Sequence, residues 1–340
     1  MAIRAFNKNE IKFVLVFMLA TAILLMAILF LAILIDPHND FGTGLFKPLV
    51  ITNRTEKINY LKNILNKPQI MILGSSRVYD MDPDLIKKIT GKNAYNASVS
   101  YARSEDHWAM ISLFVKDFKI NPETIVVGLN LGELNNDDIE PQTINNKYLT
   151  RHLNITFYQK ISALYKSFKN SINQQYLRDI FVSLFKIRVD EKTDRVNFLE
   201  NGKIDTPASY YSFSGTDRVA DTYSRATNLF KNFDQLNPMR KLYLEKFIAF
   251  ANQNNIKIKL VLLPMPDETI EKLRKDTNYS QIYSEFKSYV DGLHLAYQFY
   301  FYDFSSVDKF NGLSDSFSDS THPGPKNIDL ITKKIFERKK

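Results

Sequence analysis

The amino-acid sequence predicts an α/β protein: a three-layer α/β/α sandwich with a five-stranded parallel sheet, preceded by a transmembrane helix and interrupted by a helical insertion. Short apolar runs rich in strand formers alternate with amphipathic helical patterns, which is typical of a parallel sheet covered on both faces. The predicted strands are 69–73, 93–96, 124–129, 257–263 and 298–302. With 340 residues, 44% of them hydrophobic, the chain is long enough to bury such a core.

A long apolar segment near the N-terminus predicts a membrane anchor. Phe13–Ile35 contains no charged residue and has the length that a helix needs to cross a hydrocarbon layer of about 30 Å. A cleaved secretory signal is the alternative, but the run is long for one and no small-residue cleavage pattern follows it. Arg4, Lys8 and Lys12 precede the segment. Because basic flanks remain on the cytoplasmic side, we expect the N-terminus inside and everything after Asp36 outside.

These patterns divide the chain into four parts. Residues 1–12 are predicted to be cytoplasmic, 13–35 to span a bacterial cytoplasmic membrane once, 36–67 to be a juxtamembrane spacer and 68–340 to form the extracytoplasmic domain. Within that domain the alternation of strands and helices stops between residues 135 and 236. This insertion, 135–236, is too long for a plain loop, so we expect it to cap a site or to contact a partner.

Composition limits the chemistry and the partners. The sequence has no cysteine, so it has neither a disulfide framework nor a thiolate metal site, as fits a bacterial envelope protein. Its net charge of +8 comes from scattered residues, most of which we expect to be solvated surface. Anionic lipid head groups or glycopolymers are therefore expected partners, and nucleic acid is not. The motifs of phosphate loops, zinc helices and calcium loops are missing, so we predict no cofactor and no metal.

Two distant stretches carry the residue types of a nucleophile, a base and its orienter. Ser76 follows the first predicted strand, where ligands bind in α/β sheets, and a serine hydroxyl attacks a carbonyl only when a base takes its proton. His322 is the candidate base because it alone of the five histidines lies in a polar loop after the last strand. Asp319 precedes it by three residues, a spacing that one turn can close. The alternative is that Asp319 only caps this loop and His322 is an exposed residue.

Two further residues are candidates at the same edge of the sheet. Asn130 ends the third strand and is the candidate side-chain donor for an oxyanion, although an asparagine after a strand is also a common turn former. Arg77 follows Ser76 directly and could hold an anionic group of a substrate. A salt bridge from Arg77 to Asp80 or Asp82 is the alternative.

Four short blocks make the sequence similar to the SGNH, or GDSL, hydrolase superfamily, whose blocks supply serine, glycine, asparagine and histidine in that order. Gly74–Ser76 resembles the first block, with serine in place of the usual aspartate, and Asn96–Ser100 resembles the second. Gly128–Asn130 resembles the third block and Asp319–His322 the last. Tyr101 stands where the second block usually has glycine, so its side chain would have to turn away for its backbone N–H to hold the oxyanion.

The resemblance covers residues 68–132 and 256–335 and implies a flavodoxin-like sandwich with a catalytic serine. It implies an oxyanion hole formed by Asn130 and the backbone N–H groups of Tyr101 and Ser76. With the N-terminal anchor, the chain resembles the DltD and AlgJ/AlgX types, which implies an esterase or O-acyltransferase for acyl, expectedly acetyl, esters of cell-surface glycopolymers. A membrane-bound acyl-donor protein is then an expected partner. The alternative, favoured by the Tyr101 departure, is a non-catalytic envelope scaffold or polymer-binding protein.

Overall fold

The computed structural model describes residues 7–43, 45–46, 49, 53–185, 197–205 and 216–337. Arg4 of the predicted cytoplasmic segment, and parts of the predicted spacer and insertion, lie outside the described residues. In chain order the strands of the described part are β1 (Ile70–Gly74), β2 (Ala94–Asn96), β3 (Thr124–Leu129), β4 (Asn197–Phe198), β5 (Ile204–Asp205), β6 (Lys257–Leu262) and β7 (Tyr300–Asp303).

In this described part, helices alternate with the strands, except that several helices and the two short strands β4 and β5 lie between β3 and β6. They are α1 (Lys8–Ile35), α2 (Asn53–Asn63), α3 (Pro83–Thr90), α4 (Ser104–Ser112), α5 (Pro141–Ile144), α6 (Lys147–Thr150), α7 (Phe157–Ser171), α8 (Gln174–Phe185), α9 (Thr216–Phe230), α10 (Pro238–Gln253), α11 (Asp267–Asp276), α12 (Tyr279–His294) and α13 (Pro325–Phe336).

The predicted α/β/α sandwich is confirmed. Five of these strands form one parallel sheet in the order β2-β1-β3-β6-β7. Alternate residues of a strand point to opposite faces, and both faces of this sheet are covered. Ile72 and Val126 pack with residues of α3 and α13, whereas Leu73 and Val127 pack with residues of α4, α10 and α12. The apolar runs of β1 and β3 are continuous because these central strands are buried on both sides.

Register brings the candidate residues to one edge of the sheet. Gly74 at the end of β1 lies opposite Gly128 of β3, so the residues that follow the two strands emerge together. Gly74 has a φ of +147°, and a Cβ atom there would lie 2.6 Å from a methyl carbon of Val78 and 2.9 Å from the carbonyl oxygen of Gly128. Only glycine fits this turn without displacing β3.

Local capping residues define the starts of two helices that cover the sheet. Asp82 caps α3, accepting a hydrogen bond from the backbone N–H of Asp84, and Gly91 ends that helix with a φ of 76°. Asn237 caps α10 in the same way. These local signals are strong because they satisfy backbone groups that the helix itself leaves unpaired.

One N-terminal helix is long and apolar enough to cross a membrane. This helix, α1, has a mean hydropathy of 3.0 over its most apolar 18 residues, and none of that window is buried. Asn7 caps it, with Glu10 completing a capping box. The predicted segment 13–35 lies within α1, whose apolar side chains are exposed along most of its length.

The predicted spacer 36–67 is more than a linker in its described part. Helix α2 buries Ile58 and Leu61 in the main apolar cluster beside the sheet. Arg54 on the same helix donates to Asp106 of α4 over 2.8 Å, and both side chains are 2% exposed. The polar residues that indicated a spacer include Arg54, which is buried in this ion pair. A single sequence does not reveal that a charged residue will be buried with a partner.

Candidate active site

The Ser76 hydroxyl lies at the exit of β1. Ser75 and Ser76 follow Gly74, and a single 3₁₀ turn, Ser76–Val78, begins there. The Ser76 Oγ atom lies 2.8 Å from the Nε2 atom of His322, although the two residues are 246 positions apart. The structure therefore brings together the serine and histidine that the sequence proposed as partners.

The other ring nitrogen of His322 faces a carboxylate. Its Nδ1 atom lies 2.9 Å from each carboxylate oxygen of Asp319. An Nδ1–H that donates to a carboxylate leaves Nε2 unprotonated, so Nε2 can accept the proton of the Ser76 hydroxyl. The arrangement has the hydrogen-bond order of a Ser-His-Asp triad.

The Asp319–His322 turn is held by its own backbone. Asp319 Oδ1 accepts hydrogen bonds from the backbone N–H groups of Thr321 and His322 at 2.7 and 2.8 Å. Ser318 N–H donates to the His322 carbonyl oxygen, and Phe317 pairs with Pro323 across the turn. These bonds make the carboxylate both the partner of the imidazole and the centre of the loop, which explains the three-residue spacing.

The Asp319 carboxylate is stabilised in its charged form. Burial opposes ionisation, but the hydrogen bonds and charge of His322 and the backbone donors of the turn outweigh it, and the pKa of Asp319 is well below its usual range. Asp319 is therefore ionised at neutral pH and can stabilise a positive charge that develops on His322.

Helix α9 contributes to the position of this loop. Ser320 N–H donates to the Thr222 hydroxyl at 2.9 Å, and the Ser320 hydroxyl donates to the Thr222 carbonyl oxygen at 2.8 Å. Thr222 belongs to the predicted insertion 135–236. The insertion thus contacts the histidine loop directly, a link between distant segments that the sequence does not reveal.

Tyr101 has the backbone conformation that glycine normally provides. Its φ is 52°, in the left-handed region, and its side chain is 67% exposed at the mouth of the cavity. The side chain is turned away from the core, as the sequence comparison required. Within the described part of the chain, the backbone N–H groups of Ser76 and Tyr101 donate to no protein acceptor.

Asn130 lies at the same edge, and its amide is held by a residue that the sequence analysis missed. The Asn130 Nδ2 atom donates to Glu133 Oε1 over 2.6 Å. An amide nitrogen has two hydrogens, so this bond orients Asn130 and leaves the second hydrogen for another acceptor. The signal in the sequence is the Asn-Leu-Gly-Glu spacing, which one 3₁₀ turn, Leu131–Leu134, folds back on itself.

Glu133 is buried, and its protonation state is unusual. Burial raises its pKa to about 8, against the opposing effects of the Ser75 hydroxyl and the Arg77 charge. At neutral pH the side chain is therefore mostly an uncharged acid. An uncharged Glu133 can lie beside an oxyanion site without repelling negative charge there.

Among the described residues, Arg77 does not form the salt bridge to Asp80 or Asp82 that was the alternative to a substrate-binding role. Its side chain is buried, and Nη2 donates to the carbonyl oxygen of Pro264 over 2.6 Å. Burial lowers the pKa of Arg77 to about 10, so it stays charged at neutral pH. Asp82 instead pairs with Lys203 at 2.6 Å. Arg77 lines the cavity, and a role in holding substrate stays a prediction.

A cavity of about 690 Å³ opens over these residues. Its floor is formed by Ser76, Asn130 and His322, and its walls include residues of the insertion. The lining residues from the insertion are Asp137, Glu140, Ile204, Asn228 and Leu229. The volume is in the range of small-molecule sites. Within the described residues no group of three His, Cys, Asp or Glu side chains is arranged to hold a metal ion.

Comparison with protein families identifies the chain. A family model described as protein of unknown function DUF1574 matches residues 8–338. The chain belongs to the DUF1574 family. A search of curated protein sequences found no match to this DUF1574 protein.

One of the similar solved structures is a Bacteroides fragilis protein provisionally described as an acylhydrolase. The two chains are 10% identical, with a TM-score of 0.33, and the match covers 83% of this DUF1574 protein and 91% of the other chain. Nothing about the site is inferred from that likeness, because the similarity is too low.

Proposed function

We propose that this protein is an SGNH-type serine esterase or O-acyltransferase, anchored in the bacterial cytoplasmic membrane with its catalytic domain outside. Its substrates would be acyl esters, expectedly acetyl, of a cell-envelope polysaccharide or related glycopolymer. The observation that carries the proposal is the 2.8 Å contact between Ser76 Oγ and His322 Nε2, with Asp319 on the other ring nitrogen. In this role Ser76 is the nucleophile, His322 the base and Asp319 its orienter.

The reaction follows from these contacts. Ser76 Oγ attacks the ester carbonyl carbon while its proton moves to His322 Nε2, and the imidazolium is stabilised by Asp319. The tetrahedral oxyanion accepts hydrogen bonds from Asn130 and from the backbone N–H groups of Ser76 and Tyr101. Collapse expels the alcohol, which takes the proton from His322, and leaves the acyl group on Ser76.

The second half of the reaction distinguishes an esterase from a transferase. Water or a sugar hydroxyl gives its proton to His322 and attacks the acyl-serine. The bond between the acyl carbon and Ser76 Oγ then breaks, His322 returns the proton to Ser76 Oγ, and the acid or a new ester is released. The cavity rim has Asp137, Glu140 and Arg103, and Arg103 contacts both carboxylates. Such polar groups suit sugar hydroxyls. Turnover of an aryl acetate with and without oligosaccharide, followed by product analysis, separates the two, because only transfer gives an acylated sugar.

A fluorophosphonate probe tests the proposed function. The serine oxygen displaces fluoride from phosphorus only if it is activated, so we expect full-length protein to be labelled covalently. Ser76→Ala should remove the label. Ser75→Ala is the matched control because Ser75 is buried and is not a hydrogen-bond partner of His322. Persistent failure of the wild-type protein to react would favour the non-catalytic scaffold, and labelling that survives in Ser76→Ala would place the nucleophile elsewhere.

The protonation state of Glu133 predicts an alkaline limit to activity. Above pH about 8 the carboxyl loses its proton and puts a negative charge beside the oxyanion donor Asn130. We expect kcat/KM of the wild-type protein to fall there, while Glu133→Gln should keep its activity into that range. The charges of Arg77 and Arg103 act on this carboxyl, and the Nε2 atom of His107 lies 4.0 Å from Glu133 Oε2. Burial lowers the pKa of His107 to about 4, so His107 does not titrate in the alkaline range.

Stability measurements provide the control for Glu133. Its pKa is raised on folding, so the unfolded chain ionises first, and wild-type stability should fall as the pH rises from about 4.5 to about 8. Glu133→Gln should lack this component, whereas Glu271→Gln, on an exposed residue of α11, should behave as the wild type. An alkaline limb of kcat/KM that is identical in Glu133→Gln and the wild type would contradict the assignment.

A further inference from the structure

Exposed apolar side chains of the extramembrane part are concentrated on one helical pair. Nine large hydrophobic residues on α7, on α8 and in the link between them are exposed. Elsewhere in the described chain outside α1, exposed large hydrophobic residues are mostly isolated. The nine residues are Phe157, Tyr158, Ile161, Leu164, Tyr165, Ile172, Phe181, Leu184 and Phe185. A contiguous exposed apolar surface on a folded domain marks an interaction site.

The exposed residues form a stripe on each helix. On α7, Tyr158, Ile161 and Tyr165 are spaced three and four residues apart, so they share one face, while Ala163 and Ser167 are buried. On α8, Phe181 and Phe185 stack at 6.4 Å between ring centroids. Each helix therefore has one face that packs on the protein and a second apolar face that is exposed.

Helix α8, which carries part of this surface, packs against the end of the membrane helix. Ala32 and Ile35 of α1 pack against Tyr176 and Ile180 of α8. From Phe13 to Leu31 the side chains of α1 are mostly exposed, and a helix of 19 residues rises about 28 Å. That length equals the hydrocarbon thickness of a bilayer, about 30 Å. The helix α1 therefore leaves the lipid at the level at which it begins to pack against the rest of the protein.

A third segment ends at the same level. Leu49 N–H donates to the carbonyl oxygen of Pro37, just past the end of α1. Leu45 is 65% exposed and Phe46 is 39% exposed, and both lie in sequence between these two bonded residues. Exposed apolar side chains therefore occur both on α8, which packs on the end of α1, and in the Leu45–Phe46 turn that follows α1 in the chain.

The polar residues between these apolar groups are cationic. Lys160 and Lys169 on α7 and Arg178 on α8 are exposed. Aromatic side chains with lysine and arginine beside them are the composition of membrane–water interfaces, where rings lie at the head-group level and cations contact lipid phosphates. A water-exposed protein surface would not favour six exposed aromatic rings, Phe157, Tyr158, Tyr165, Phe181, Phe185 and Phe46.

We infer that the exposed faces of α7 and α8, together with the Leu45–Phe46 turn, lie in the interfacial layer of the bilayer that α1 spans. This membrane-contacting surface gives the anchored domain a second attachment and restricts its rotation about α1. Because residues of the same insertion line the cavity, the height of the active site above the lipid is then determined. The inference needs α1 to span the bilayer but does not need Ser76 to be catalytic.

The absence of cysteine from the sequence makes the test direct. Single cysteines at Tyr165 and Phe181 of the full-length protein are labelled with a fluorophore in nanodiscs of phosphatidylcholine and phosphatidylglycerol. Lipids with nitroxide-bearing chains should quench both labels several-fold more than a label at Leu295, an exposed leucine remote in sequence from α7 and α8. Aqueous iodide should quench the label at Leu295 more strongly than the labels at Tyr165 and Phe181. A label at Leu19 within α1 is the positive control, and Tyr158→Cys, at an 84% exposed position, is a second variant.

Two results would overturn the inference. If labels at Tyr165 and Phe181 respond to iodide as Leu295 does while Leu19 is quenched by lipid, α1 spans the membrane and the helical pair stands in water. If those labels are protected from iodide but are not quenched by lipid, the face is covered by a protein partner or a second copy of this chain.

Discussion

Ser76→Ala is expected to abolish turnover of an aryl acetate, with kcat reduced about 10⁴- to 10⁶-fold. The reason is that the acyl group must pass through the Ser76 oxygen, and among the described residues no other hydroxyl oxygen lies within 3 Å of His322 Nε2. The oxyanion donors remain in the variant, so a small residual rate over water is expected.

The fold of Ser76→Ala should be unchanged. The residue loses one hydrogen bond to a side chain that is 27% exposed, so the free energy of unfolding should fall by about 1 kcal/mol or less. Circular dichroism and a denaturant midpoint measure this. Ser284→Ala, on an exposed residue of α12, is the control for a serine without catalytic contacts. Wild-type turnover in a folded Ser76→Ala protein would refute the nucleophile assignment.

Asp319→Asn is expected to lower kcat about 10⁴-fold with the fold retained. The two carboxylate oxygens lie at equal distances from His322 Nδ1, so an amide in their place puts either its NH₂ group or its oxygen against that nitrogen. The backbone donors of Thr321 and His322 require the oxygen, which directs the NH₂ group to Nδ1. His322 then carries its proton on Nε2, where it cannot accept the proton of Ser76.

The same variant has a pH signature in its stability. Folding lowers the pKa of Asp319, so its ionised form stabilises the native state above pH about 4, the value in the unfolded chain, and that contribution is lost as the pH falls further. Asp319→Asn should be less stable than the wild type at neutral pH, and the difference should shrink on acidification. Asp315→Asn, at a neighbouring exposed position, should show neither effect. Equal kcat for Asp319→Asn and the wild type would exclude the orienting role.

The strands and most helix starts could be predicted because their signals are local. The Ile-Met-Ile-Leu run of β1 is apolar at every position since both faces of the sheet are covered, and Asp82-Pro83 and Asn237-Pro238 satisfy helix ends in their own vicinity. Helix α2 was located but was interpreted as spacer. Its buried Arg54 depends on Asp106, and a charged residue gives no indication in sequence that it will be buried with a partner.

The candidate site was predicted in part for the same reason. Ser76 and Asn130 follow the ends of β1 and β3, and the carboxyl ends of parallel strands meet at one edge whatever the intervening sequence. His322 lies in the loop between β7 and α13. Glu133 was missed because a glutamate one turn after a strand is ordinary, and its importance comes from burial beside Asn130. The bond between Ser320 and Thr222 was missed because it joins the insertion to a loop 98 positions away.

The sequence by itself determined the order of strands and helices, the apolar length of α1 and the residue types available at the edge of the sheet, because each depends on neighbours within a few positions. Only the tertiary structure decided that Ser76 and His322 lie 2.8 Å apart, that Glu133 is buried against Asn130, and that α8 packs against the end of α1. These are properties of distance and of solvent exclusion, and both arise when segments far apart in the chain pack together.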